Sequence, residues 1–124
     1  MAQKILGTNV REVMSASSLI GDDVVNANGE DIGDIKEIMI HVPSGRIAYA
    51  VLSFGGFLGM GDKLFAIPWE ALTLDEDQKH FVLNVDKEKL EKAPGFDKDH
   101  WPDMAQPQFR STIDDYYGYK QQEW

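Results

Sequence analysis

The chain has 124 residues, 43% of them hydrophobic and 27% charged, so we expect one soluble globular domain with its own core. Its 21 acidic and 12 basic residues give a formal net charge of −9, which excludes the cationic surface that nucleic-acid and anionic-lipid binding require. It has no cysteine, which excludes disulfide staples, thiolate metal ligands and cysteine catalysis.

The N-terminal segment carries only a weak apolar pattern. Residues 1–18 contain three spaced apolar side chains followed by small residues, and we interpret them as an arm that leads into the domain. This end lacks the apolar run of a signal peptide, and no later segment has an apolar stretch long enough to span a bilayer. We therefore expect a cytoplasmic protein without direct membrane insertion.

The first hairpin is marked by its turn. Leu19–Val25 has strand character, and Asn28 with Gly29 is a strong hairpin signal because both residues tolerate positive φ. The returning segment, Ile32–Val42, contains one apolar step of three residues that breaks strict alternation. A helix also gives that spacing, but the isoleucine-rich composition and the flanking turns favour a strand with a β-bulge at Lys36–Glu37.

The most apolar part of the chain is predicted to be a central hairpin. Ile47–Phe54 has the composition of a strand with two apolar faces, so we expect it to be covered on both sides. Lys63–Ile67 is the second strand and ends at Pro68, which cannot donate a ladder hydrogen bond. We expect Pro68 and Trp69 to close a barrel, with Trp69 buried against the central strand.

The loop between these two strands carries three large apolar side chains among four glycines. These side chains are Phe57, Leu58 and Met60. Such a loop either folds onto its own barrel or docks on another surface. We predict a symmetric homodimer through this loop and nearby tail aromatics, and we take Phe57, Leu58, Met60, Trp101, Tyr116 and Tyr117 as the interaction residues. The alternative is a loop packed on its own barrel and a monomeric protein.

The C-terminal part begins with one more strand, Phe81–Val85, and a short helix that starts at Asp86 and stops before Pro94. About six short strands with closely spaced turns are typical of a barrel or sandwich. Residues 96–124 are polar but rich in aromatic side chains, which is unusual for disorder. We predict an extended tail that packs on the barrel or on a second subunit.

No pattern indicates a catalytic, cofactor or metal site. The glycine loop has an aspartate where a phosphate-binding loop needs lysine and serine or threonine. His41, His80 and His100 lack metal-ligand spacing, although folding could bring the first two together. The acidic runs Asp75–Asp77 and Asp97–Asp99 begin like calcium loops but depart from that pattern, so solvated turns are the simpler interpretation.

A family resemblance rests on several of these features together. They are the Asn28-Gly29 turn, the Ser44-Gly45-Arg46 turn, the Ala66–Trp69 segment and the tail sequences PGFDKD, WPDM and YYGY. Residues 15–119 resemble a PRC-barrel domain, and more narrowly the stand-alone bacterial PRC-barrel proteins. The family is named for the cytoplasmic domain of the photosynthetic reaction-centre H subunit and includes the C-terminal domain of ribosome-maturation factors. The resemblance implies a small, strongly bent β-barrel that serves in assembly, without shared catalytic residues.

These observations predict a mainly β protein with a short helix and an extended C-terminal tail. We divide it into an N-terminal arm at 1–18, a PRC-barrel domain at 19–95 and an aromatic tail at 96–124. The predicted function is that of a non-enzymatic adaptor that binds protein partners, with no cofactor and no nucleic acid. The alternatives are a peripheral component of a photosynthetic or other membrane complex, and a small-ligand-binding barrel.

Overall fold

The computed structural model describes residues 4–8, 11–55 and 63–120. Its strands are β1 (Lys4–Leu6), β2 (Asp23–Val25), β3 (Asp31–His41), β4 (Arg46–Phe54), β5 (Lys63–Pro68), β6 (Leu72–Asp75) and β7 (His80–Leu83). Its helices are α1 (Ala16–Leu19), α2 (Lys87–Glu91) and α3 (Pro107–Tyr117), with a 3₁₀ turn at Trp69–Ala71. The predicted mainly β class is therefore confirmed.

All seven strands belong to one sheet with the order β1-β6-β7-β2-β3-β4-β5. Strands that follow one another in the chain pair antiparallel, whereas β1 pairs parallel with β6 and β2 pairs parallel with β7. Within the described part of the chain the sheet stays open, with β1 and β5 at its two ends. Its curvature encloses a core to which β2–β7 and helices α2 and α3 contribute.

The first hairpin follows the sequence-based expectation, with a shorter first strand. β2 and β3 pair antiparallel around the Asn28-Gly29 turn. The strand predicted at Leu19–Val25 begins only at Asp23, and Leu19 is the last residue of helix α1. The predicted bulge is confirmed, because the β3–β4 register shifts between Ile35 and Glu37. Gly33 has a φ of +126°, and a Cβ there would lie 2.2 Å from the carbonyl oxygen of Ser53. Only glycine allows β3 to approach β4 this closely.

The central hairpin is the most buried part of the sheet. Every residue from 48 to 53 is buried, which agrees with the two apolar faces of this strand. β5 is buried from Leu64 to Pro68, and Pro68 still pairs with Tyr49. Trp69 differs from expectation: it is only partly buried, and its ring packs edge-on against Phe81 at 5.9 Å. The 3₁₀ turn that follows Pro68 directs this indole to the rim of the core.

Two elements lie outside the sequence-based prediction. The N-terminal arm contains β1, a strand of three residues too short for its alternation to be recognised. The tail was predicted to be extended, whereas Pro107–Tyr117 forms α3. The predicted helix after Asp86 is present, and the Asp86 side chain accepts a hydrogen bond from the Lys89 backbone amide at 2.7 Å. None of the helices described is long and apolar enough to cross a lipid bilayer.

Candidate interaction surface

Helix α3 packs against the central hairpin. Pro107 occupies its first turn and Gly118, at a φ of +80°, ends it, which is the usual distribution of these residues at helix ends. Phe109, Ile113 and Tyr117 recur every four residues and so lie along one side of the helix. Ile113 and Tyr117 are buried in the core, and the Phe109 ring meets the Tyr49 ring edge-on at 5.8 Å.

Two adjacent tyrosines of α3 have different surroundings. The Tyr116 hydroxyl donates a hydrogen bond to the Lys89 carbonyl oxygen at 2.5 Å, and the Lys89 ammonium lies 5.4 Å from the centre of the Tyr116 ring. Tyr117 is 8% exposed, and burial raises the pKa of its hydroxyl well above the ordinary value. Tyr116 therefore links the two helices, whereas Tyr117, one of the predicted interaction residues, is buried in the core.

A second aromatic pair lies at the open edge of β5. The Phe96 backbone exchanges two hydrogen bonds of 2.8 Å with Leu64, which fixes the start of the tail beside this strand. The Phe96 and Trp101 rings pack at 5.1 Å with an interplanar angle of 60°. Trp101 remains 40% exposed. We call Phe96 and Trp101 the edge aromatic pair.

The edge aromatic pair lies close to the end of the glycine loop. Leu64, which pairs with Phe96, is the second residue of β5, and the loop joins β5 at Lys63. Phe57, Leu58 and Met60, the loop residues predicted to bind a partner, lie outside the described residues. The tail thus places Trp101 near the base of the predicted interaction loop, whereas Tyr116 and Tyr117 lie on α3.

The N-terminal arm is held by an ionic contact that the sequence analysis missed. A single carboxylate oxygen of Glu76 accepts hydrogen bonds from Arg11 at 2.8 and 3.1 Å and from Lys79 at 2.9 Å. The Glu76 side chain is 7% exposed, and these two cations hold its pKa below the ordinary value. The Asp75–Asp77 turn is therefore not simply solvated: its central residue fastens the arm to the β6–β7 turn.

One side of the sheet carries an open, acidic depression of about 380 Å³. Asp23, Asp31 and Asp34 line it together with the ends of β3 and β4. Nearby, burial and the neighbouring charges of Asp23 and Glu76 raise the pKa of Asp22. Within the described ranges, no group of three or more histidine, aspartate or glutamate side chains could hold a metal ion. The depression thus concentrates negative charge without forming a ligand cage.

The three histidines are separated in the fold. The His41 ring lies 2.8 Å from the Ser44 hydroxyl, and the His100 ring lies 2.6 Å from the Asp97 carboxylate. His80 lies 3.9 Å from the carboxylate of Asp75. Each ring therefore contacts a residue of its own turn, an arrangement that fits local structural roles.

Comparison with known proteins identifies the family. The sequence model of the PRC-barrel domain matches residues 11–90, more than half of the chain. The chain belongs to the PRC-barrel family. No curated protein sequence matches it. Among solved structures it is similar to a crystal structure assigned as the 16S ribosomal RNA processing protein RimM from Pseudomonas aeruginosa, with 15% identity and a TM-score of 0.41. That match covers 60% of this chain and 45% of the other, so this chain spans less than half of that protein.

The family match confirms the barrel-type fold and the predicted resemblance. The PRC-barrel match ends at residue 90, within α2, so the edge aromatic pair and α3 lie beyond it. The division into arm, domain and tail stays a prediction. α3 had a recognisable signal, namely a proline, apolar residues four apart and a closing glycine, but the many tyrosines and acids obscured it.

Proposed function

We propose that this PRC-barrel protein is a non-enzymatic adaptor that binds protein partners in the cytoplasm. The observation that carries the proposal is the edge aromatic pair. Trp101 is partly exposed yet held in place by Phe96, whose backbone is bound to β5. A partly exposed tryptophan whose ring packs on a neighbouring aromatic ring is typical of the residues that dominate binding energy at protein interfaces.

The proposed binding surface joins two parts of the chain. The glycine loop supplies Phe57, Leu58 and Met60, and the tail supplies Trp101 near the end of that loop. Ordering of the tail on β5 lowers the entropic cost of binding, because Trp101 is positioned before the partner arrives. The surrounding net charge of −9 favours partners with basic rims.

The same surface is proposed to support a homodimer. A two-fold arrangement would place the apolar loop of each copy against the other and close the assembly. Light scattering on the wild type and on the double variant Phe57→Glu/Leu58→Glu tests this proposal. We expect the wild type to have the mass of a dimer and the variant that of a monomer. A wild type that stays monomeric at high micromolar concentration would contradict it.

The adaptor role is tested by affinity capture from a lysate of the source organism followed by mass spectrometry. We expect wild-type protein to retain specific partners and Trp101→Glu to lose them, because a charge on this surface opposes desolvation of the apolar contact. Val13→Glu is the matched control, since Val13 is 91% exposed and lies in the N-terminal arm. Equal capture by all three proteins would show that Trp101 is not part of a binding surface.

A further inference from the structure

The C-terminal half of β3 has one edge without a neighbouring strand. β2 pairs with β3 only over Asp31–Asp34, and the chain before β2 adds two backbone hydrogen bonds to Ile35, at 2.8 and 2.9 Å. From residue 36 to residue 41, β4 pairs with the other edge, and no strand in the described ranges pairs with this one. An edge of this kind presents backbone donors and acceptors to an incoming strand.

The side chains of this edge are apolar and exposed to an unusual degree. Ile40 is 55% exposed, and Ile38 and Met39 are partly buried. Val42, in the turn that follows β3, is 84% exposed. Soluble proteins protect open edges with charges, prolines or short strands. Here the nearest charges on β3 are Lys36 and Glu37, at the bulge, which leaves the stretch from 38 to 40 without a charged side chain.

We propose that this edge pairs antiparallel with the same edge of a second copy, about a two-fold axis at Met39. This inference rests on the proposed self-association and assigns to it a contact surface within the described part of the chain. In this register, Met39 lies opposite Met39 of the second copy, and Ile38 lies opposite Ile40 of the second copy. Glu37 then lies opposite His41 of the second copy.

Both faces of the paired strands are complementary in this register. Because alternate residues share a face, Ile38 and Ile40 of the two copies form a cluster of four isoleucines on one side. On the other side, the acidic Glu37 meets His41 of the second copy, beside Arg46, which pairs with His41 across β3 and β4. Parallel pairing in equal register would instead place Glu37 against Glu37, which like charges oppose.

The size of the contact sets its strength. A pair of five-residue strands falls below the roughly 1,200 Å² of total buried area that is typical of stable interfaces, so the contact is weak and reversible. Each copy carries a net charge of −9, and this repulsion is screened by salt. The association therefore strengthens with protein concentration and with ionic strength.

Single-cysteine variants test the register, because the chain has no cysteine of its own. In Met39→Cys, the two thiols face each other across the axis with Cβ atoms about 4.5–5.5 Å apart, close to disulfide geometry. The control is Val42→Cys. Val42 is more exposed, but its two copies are offset by about six residues, roughly 20 Å along the strands. We expect oxidation to link Met39→Cys into dimers at least tenfold faster than Val42→Cys.

Equal rates, or faster linking of Val42→Cys, would overturn the proposed pairing. Sedimentation velocity on Ile40→Lys and on Phe57→Glu/Leu58→Glu then separates this inference from the proposed function. A dimer that Ile40→Lys weakens at least tenfold supports pairing through β3, whether or not the loop variant also weakens it. A dimer lost only in the loop variant overturns the pairing but keeps the proposed self-association. A wild type that forms no dimer overturns both the β3 pairing and the proposed homodimer. The adaptor role is then tested separately by the Trp101→Glu capture experiment.

Discussion

The hydroxyl groups of Tyr116 and Tyr117, which are neighbours in the chain, contribute differently to the stability of the protein. The Tyr116 hydroxyl has a backbone acceptor on α2, the Lys89 carbonyl. The Tyr117 hydroxyl is buried, and no hydrogen-bond partner for it lies among the described residues. A buried hydroxyl without a partner costs desolvation free energy that no contact returns. The buried ring of Tyr117 therefore stabilises the folded protein, whereas its hydroxyl group lowers the stability.

This difference predicts opposite outcomes for two conservative substitutions. Tyr117→Phe removes the buried hydroxyl and should leave the free energy of unfolding unchanged or raise it by about 1 kcal/mol. Tyr116→Phe removes a hydrogen bond and should lower that free energy by about 0.5–1.5 kcal/mol. Urea denaturation of both variants measures the two changes. A Tyr117→Phe variant less stable than Tyr116→Phe would mean that the Tyr117 hydroxyl has a partner.

Gly33 is a second position where one residue controls the fold. Gly33→Ala would place a Cβ 2.2 Å from the Ser53 carbonyl oxygen, at a φ that L-residues rarely adopt, and should lower the free energy of unfolding by about 3 kcal/mol or more. Gly45→Ala is the control, because Gly45 also has a positive φ, +76°, but nothing lies within 4 Å of its Cβ position. Its cost should be about 1–2 kcal/mol, the backbone contribution alone. Equal losses by urea denaturation would indicate that β3 and β4 are not in close contact at Gly33.

Glu76 gives the protein a pH-dependent contact. Its pKa is lowered in the folded state by Lys79 and Arg11, from an ordinary value of 4.5, so the folded state favours the charged carboxylate. Its contribution to stability is thus fully present above pH 4.5 and is lost as the pH falls through the lower folded pKa. Glu76→Gln should be less stable than the wild type at neutral pH, and this difference should shrink below pH 4.5.

The matched control for that prediction is Glu88→Gln. Glu88 pairs with Lys92 at 2.9 Å, but both side chains are more than 70% exposed, so the pair contributes little. Thermal unfolding of the three proteins between pH 7 and pH 3 provides the comparison. If the melting temperatures of the wild type and Glu76→Gln differed by the same amount at pH 7 and at pH 3, the ion contacts assigned to Glu76 would be wrong.

At the scale of elements, the sequence was most informative where apolar residues alternate along a strand and turn residues mark its ends. β4, β5, the Asn28-Gly29 hairpin and the bulge near Lys36 follow from apolar alternation and turn chemistry, which are local properties. β1 could not be predicted, because three residues carry no period and its pairing with β6 joins positions about 70 residues apart. Trp69 was assigned to the core because of its size, whereas the 3₁₀ turn after Pro68 determines its direction.

For the interaction residues, the sequence indicated apolar and aromatic side chains but not their grouping. The Phe96–Trp101 contact depends on a backbone bridge to Leu64, a long-range pairing that residue spacing does not encode. The ionic contact of Glu76 was missed for the same reason, since Arg11 is 65 residues away in the chain. Local sequence patterns predict helices and strands, whereas contacts between distant elements are seen only in the folded structure.

The packing of α3 makes a prediction at the element scale. Ile113 lies on the buried side of α3 and is 1% exposed. Ile113→Ala should lower the free energy of unfolding by about 2–5 kcal/mol, the range for buried aliphatic truncations. Thr112→Ala is the neighbouring control, on the exposed side of the helix, and should change stability by less than about 1 kcal/mol. Chemical denaturation compares them. A small loss for Ile113→Ala would mean that α3 is not packed on the sheet.

At the scale of the whole molecule, the tail of this PRC-barrel protein is part of the folded unit. The arm is fastened through Glu76, the tail is paired with β5 through Phe96, and α3 contributes Ile113 and Tyr117 to the core. These contacts link the two ends of the chain to the sheet that the family shares. The proposed partner binding through Trp101 depends on these contacts, because a tail that detaches would carry Trp101 away from β5.

Native-state hydrogen exchange of the wild-type protein tests whether the tail and the sheet fold as one unit. If α3 and the sheet form one cooperative unit, the amides of Ile113 and Tyr117 should exchange with opening free energies close to those of Leu52 and Ala50 in β4. The amide of Trp101, in an exposed turn of the tail, serves as an internal reference for easier exchange. Slow, matched exchange in α3 and β4 is the predicted result. Exchange of the α3 amides as fast as that of Trp101, while β4 stays protected, would show that α3 unfolds independently of the sheet.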